Sequence, residues 1–117
     1  MNKRIACVAL AMLALAGCAN DPAPTAQMSL AAKAVEQARA VGADEQIQEM
    51  QMAERKLARA EKNMGEEDYK RARVFAEQAE LDARLAEAKV LTQKSQMQLL
   101  DLNTRITRLR KQLGDQQ

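Results

Sequence analysis

Two cysteines, seven methionines, one tyrosine and 16 acidic side chains are the residues of this 117-residue chain whose types can do chemistry. There is no histidine, which removes the Ser-His-Asp and Cys-His arrangements that activate a nucleophile and the histidine-containing zinc sets. Cys7 and Cys18 both lie at the N-terminal end, so the remainder of the chain has neither a disulfide framework nor a thiolate cluster. The carboxylates fall on helical surfaces, by the periodicity described below, where they are solvated charges rather than acid–base pairs. Met50-Gln51-Met52 offers two soft sulfur atoms, but on a helix residues two apart are about 200° apart around the axis and cannot chelate one ion together. Met50 fits an apolar seam and Met52 falls outside it. Tyr69 is expected to pack over a helix turn at the head of a run of alanines. One reactive atom is left to explain, the sulfur of Cys18.

The residues before it explain it. Met1-Asn2-Lys3-Arg4 is a short positive segment, and Ile5 to Ala14 is an uncharged apolar run, too short to span a bilayer as a stable helix. Leu15-Ala16-Gly17-Cys18 follows. This resembles the lipobox of bacterial lipoproteins: an aliphatic residue, two small residues, then cysteine. The resemblance implies that residues 1–17 are a signal peptide cut between Gly17 and Cys18. It also implies that the Cys18 sulfur carries diacylglycerol and that the new amine accepts a fatty acid such as palmitate. Small residues suit a peptidase cleft, and a thiolate is the nucleophile for the alkylation. The competing reading is an ordinary secretory cut after Ala14-Leu15-Ala16, which releases a soluble protein. One acyl chain holds a membrane only marginally, whereas two or three hold it firmly. Ala19 stands where an aspartate would resemble an inner-membrane retention signal, so the expected place is the outer membrane, facing the periplasm. Apart from the covalent lipid, no cofactor or metal is expected.

Charge and composition narrow the partners. Lys3 and Arg4 are two of the 18 basic residues, and without them the chain is neutral against its 16 acidic ones. Aromatic residues make up 2%. A neutral chain without stacking platforms is not built for nucleic acid. Residues 18–25, with Pro22 and Pro24, read as the lipidated cysteine and an extended tether.

Beyond Thr25 there is no proline, and Gly42, Gly65 and Gly114 divide the chain into three helices, each glycine being expected just past a helix end. Acidic residues follow the first two glycines, where the next helix dipole favours negative charge. Helix one carries Ala31, Ala34, Ala38 and Val41. Helix two carries Met50, Ala53, Leu57, Ala60 and Met64. The third carries Tyr69, Ala72, Ala76, Ala79, Ala83, Ala86 and Val90. These alternating steps of three and four mark the seams of closely packed helices. Glu66–Lys70, Glu67–Arg71 and Glu80–Arg84 are spaced as i,i+4 pairs on the outer faces. The expected fold is all-α: a short antiparallel three-helix hairpin arrangement over residues 26–90, with alanine-rich seams.

The third helix has no break from about Glu67 to Gln112, roughly 70 Å at 1.5 Å per residue. Its partners are under half that length, so residues 91–117 form a coiled-coil-like arm and a short tail. Leu99, Leu102, Ile106, Leu109 and Leu113 make a second stripe there, rotated away from the first seam, which would continue through Gln93, Met97, Leu100 and Thr104. An exposed leucine stripe on a lone helix needs a partner. Lys89, Lys94, Arg105, Arg108, Arg110 and Lys111 make this region basic, suiting a solvated coiled-coil flank or an anionic surface.

The middle of the chain resembles the DUF4398 family, a helical domain of unknown function in bacterial envelope proteins. The resemblance is carried by Ala40-Val41-Gly42-Ala43, by Ala53-Glu54-Arg55-Lys56-Leu57-Ala58-Arg59-Ala60, and by the turn Gly65-Glu66-Glu67-Asp68-Tyr69 leading into the alanine ladder through Ala86. It covers about residues 26–90 and implies a place and a shape, without a reaction. Some relatives carry an OmpA-like peptidoglycan-binding domain after this module. The chain ends too soon for one, so that binding is not carried over and any contact with peptidoglycan is left open. The expected role is a membrane-anchored periplasmic structural or protein-interaction lipoprotein, not an enzyme. Its arm would pair with itself or with another envelope protein through Leu99, Leu102, Ile106, Leu109 and Leu113. The alternative is a ligand-binding or regulatory envelope lipoprotein, which the small volume beside an alanine seam disfavours.

Overall fold

The computed structural model describes residues 21–115. The expected signal peptide, the cleavage point at Gly17 and the lipidation site Cys18 lie outside the described residues. Three helices follow one another, α1 (Thr25–Ala40), α2 (Gln48–Gly65) and α3 (Tyr69–Gly114), and there is no strand among the described residues. None of these helices is long and apolar enough to cross a membrane.

The chain runs up, down and up. Gln27 Nε2 donates to Glu80 at 2.7 Å and Gln37 Nε2 to Glu87 at 2.8 Å, so α1 lies parallel to the first half of α3. Lys56 Nζ bridges Asp82 at 2.6 Å and Lys89 bridges Glu49, so α2 runs antiparallel to α3. Both short helices pack chiefly on α3 and less on each other.

The seams are the alanine ladders. Ala31 and Ala38 of α1, Ala53 and Ala60 of α2, and Ala72, Ala76, Ala79, Ala83 and Ala86 of α3 are all completely buried. Alanine gains little area on burial, but it lets helix backbones approach closely and loses no rotamer freedom. Met50 is the largest fully buried side chain and fills the upper core with Val35, Ala43 and Val90. The lower core centres on Ala31, Ala60, Ala76 and Ala79, edged by Met28, Leu57 and Phe75. Val41, Leu57, Met64 and Tyr69 sit at the half-buried margins of the seam. Pro24 is buried, and Arg73 Nη2 donates to the Pro22 carbonyl at 3.3 Å, so the last residues before α1 are docked on α3.

Only Gly42 lies just past a helix end as expected; Gly65 and Gly114 are each the last residue of their helix. After α1, Gly42 has φ 101°, the Ala43 amide donates to the Ala38 carbonyl and the Gly42 amide to Arg39, which is a Schellman closure. After α2 the same closure is made two residues later than expected. Asp68 N–H donates to Asn63 and Glu67 N–H to Met64, and the left-handed residue is Glu67 at φ 59°. Gly65 lies inside the last helical turn. Asp68 then caps α3, its carboxylate accepting from the Arg71 amide at 3.1 Å. Because Glu66 and Glu67 precede the helix, their expected i,i+4 pairings give way to Lys62–Glu66 at 3.8 Å and Asp68–Arg71 at 3.5 Å. Glu80–Arg84 forms as expected, at 2.6 Å.

Candidate interaction surface

The bundle ends where α1 runs out. Lys94 Nζ donates to the Val41 carbonyl at 2.6 Å, placing a cation at the C-terminus of α1, where the helix dipole favours it. Val90 is the last buried residue of α3, and every described residue from Leu91 onward is exposed. The remaining 20 residues of α3, 95–114, continue about 30 Å past the bundle.

That projection carries the five expected residues on one side. Leu99, Leu102, Ile106, Leu109 and Leu113 are 58, 52, 45, 57 and 67% exposed. At 100° per residue their mean direction is about 140° from the alanine seam of the same helix, so the bundle cannot cover them. A lone helix has little stability without tertiary packing, and five large aliphatic side chains in one line exceed the scattered exposure ordinary at a surface. Two unexpected leucines join them. Leu81 and Leu85, beside the bundle, are 66 and 49% exposed and point away from Ala83, which is fully buried.

The basic residues divide into two groups. Lys89 and Lys94 belong to the bundle, through Glu49 and the Val41 carbonyl. Arg105 bridges Asp101 at 2.8 Å on the arm itself. Arg108, Arg110 and Lys111 lie on the exposed arm near its tip. Two carboxylates elsewhere are held in their charged form by donors. Glu49 lies below its ordinary value through the hydrogen bond from Lys89, and Glu80 through those from Gln27 and Arg84. Both serve helix pairing. No buried side-chain polar atom among the described residues lacks a hydrogen-bond partner. Arg59 lies over the Phe75 ring at 5.7 Å, a contact on the bundle flank.

Sequence reasoning found the arm stripe and missed Leu81 and Leu85. The missed signal is the same alternation of three and four carried backward from Leu99 through Ser95, Thr92 and Ala88, small residues that do not stand out as a stripe when read singly.

The model of the domain of unknown function DUF4398 matches residues 26–102 of this chain. The crystal structure of a DUF4398 family protein from Pseudomonas aeruginosa is similar to it at 56% sequence identity and a TM-score of 0.80. The match covers 82% of this chain and 100% of that one. No curated protein matches.

Proposed function

The chain belongs to the DUF4398 family, and from that premise we propose a structural or protein-interaction role in the bacterial cell envelope, without a reaction of its own. In this reading residues 1–17 are removed, Cys18 is lipidated, and the protein is held on the outer membrane facing the periplasm. The alanine-seamed bundle is a compact base that orients α3, and the arm is the working part. The observation that carries the reading is the aliphatic stripe from Leu99 to Leu113, half to two-thirds exposed on a helix that nothing in its own bundle covers, with Met97 and Leu100 exposed on the other side of the same arm. A catalytic reading finds little to rest on: the chain has no histidine, and its perturbed carboxylates are engaged in helix pairing.

The anchoring part is tested by intact mass and fractionation of the chain made in a Gram-negative host. The expected product starts at Cys18, carries diacylglycerol and an amide-linked acyl chain, and sediments with the outer membrane. Cys18→Ala should then release it from that membrane. A soluble product beginning at Gly17 would overturn the lipoprotein reading.

A further inference from the structure

The arm stripe is part of a longer heptad seam. Stepping back from Leu113 by alternating four and three residues gives Leu109, Ile106, Leu102 and Leu99, then Ser95, Thr92, Ala88, Leu85 and Leu81 without a break in register. Every one of these residues is exposed. Beside the bundle, Leu81 and Leu85 stand two residues either side of buried Ala83, about 160–200° round the axis. One helix therefore bears two apolar faces along its length. The inner one is covered by α1 and α2 as far as Val90, and the outer one, about 48 Å long from Leu81 to Leu113, is bare. Resting on the interaction role proposed above, we propose that a second copy of this chain covers it, with the two α3 helices antiparallel and Leu81 opposite Leu113.

Size and charge select this arrangement. In a parallel pair in register, Ala88, Thr92 and Ser95 would each meet their own counterpart, small against small, leaving the middle of the seam hollow. The flanks would set Arg84 beside Lys89, Arg105 beside Arg110 and Glu77 beside Asp82, all like-charged. In the antiparallel pair, Leu81 meets Leu113, Leu85 meets Leu109, Ala88 meets Ile106, Thr92 meets Leu102 and Ser95 meets Leu99. Every small residue then faces a large one. No flanking pair is like-charged, and Asp82 comes beside Arg110 of the second copy. Antiparallel contact through the arms alone would leave Leu81 and Leu85 bare and set Arg105 against Arg105. The arm of each copy thus lies along the outer face of the other's bundle. Seven large aliphatic side chains per copy, 45–67% exposed, with their flanks, supply on the order of the 800 Å² per partner of a stable interface.

A benzophenone amino acid in place of Leu85, in the full chain in its host membrane, tests this directly. Irradiation should give a band of twice the mass, with the cross-link mapped to the segment around Leu109 of the other copy, and Leu109→Asp should remove it while helix content stays unchanged. A cross-link to the segment around Leu85 of the other copy would mean a parallel pair. A cross-link to a different protein or to lipid, or no cross-link, would mean another occupant or none. Each of these results overturns the proposal. Anchoring is read separately, from the mass at Cys18. A lipidated chain that does not cross-link to itself sinks this inference alone, and an unlipidated chain that does sinks only the anchoring.

Discussion

Gly42 and Glu67 occupy the same position in two equivalent turns, and their side chains make opposite predictions. Each is the left-handed residue of a Schellman closure, at φ 101° and 59°. Glycine holds that conformation without strain, whereas an L side chain brings its Cβ too close to the following carbonyl. Glu67 is held there by the hydrogen bond from Asp68 N–H to Asn63 and by the Asp68 cap on α3. Glu67→Gly should therefore stabilise the bundle by about 1 kcal/mol, and Gly42→Ala should destabilise it by about as much or more. Urea midpoints at constant slope measure both. The sequence placed a turn near Gly65 correctly but assigned the left-handed position to the wrong residue. Composition favours glycine at such sites only on average. Here the register is set by where the acidic cap of the next helix falls, and that is a property of two elements together.

At the scale of elements, three helices hold together with almost no large core residue, so their stability depends on closeness. The spacing of the alanines made the seams legible because a step of three or four has one structural meaning, a shared helix face. What it left out is also physical. Val35 is buried next to Ala34 because α1 must face both α2 and α3, and a helix with two neighbours needs a wider stripe than one seam provides. Ala43 is buried in the turn, where helical periodicity does not apply. Close approach leaves no spare volume, so Ala83→Leu, on the inner face, should cost about 1–3 kcal/mol through overpacking. Leu81→Ala, two residues away on the outer face, should change the stability of the isolated monomer by less than about 0.5 kcal/mol. Thermal denaturation at low protein concentration separates the two. Equal losses would mean that the outer face is already packed within one chain.

Over the whole molecule, α3 is one continuous helix in two environments, with the boundary at Lys94. Residues up to that point share hydrogen bonds and buried surface with α1 and α2. Residues beyond it have only their own backbone ladder and i,i+4 contacts such as Asp101–Arg105. An isolated helix of that length is marginal in water, so the arm should open locally while the bundle stays closed. Hydrogen exchange measures this by position. In dilute protein, amides from about Gln98 to Gly114 should exchange orders of magnitude faster than those from Ala72 to Val90, since opening free energies range from near zero at fraying ends to the global value in the core. Raising the protein concentration should then slow exchange in the arm, because a ligand that binds only the closed helix stabilises it by mass action, and a second copy is such a ligand. Protection in the arm at every dilution would place its cover within the same chain and leave no unpartnered stripe. Fast exchange at every concentration would mean that the second copy is not the cover. A rise that tracks concentration would tie the long unbroken helix to its use, since only a rigid and uninterrupted α3 can present its inner face to its own bundle and its outer face to another copy.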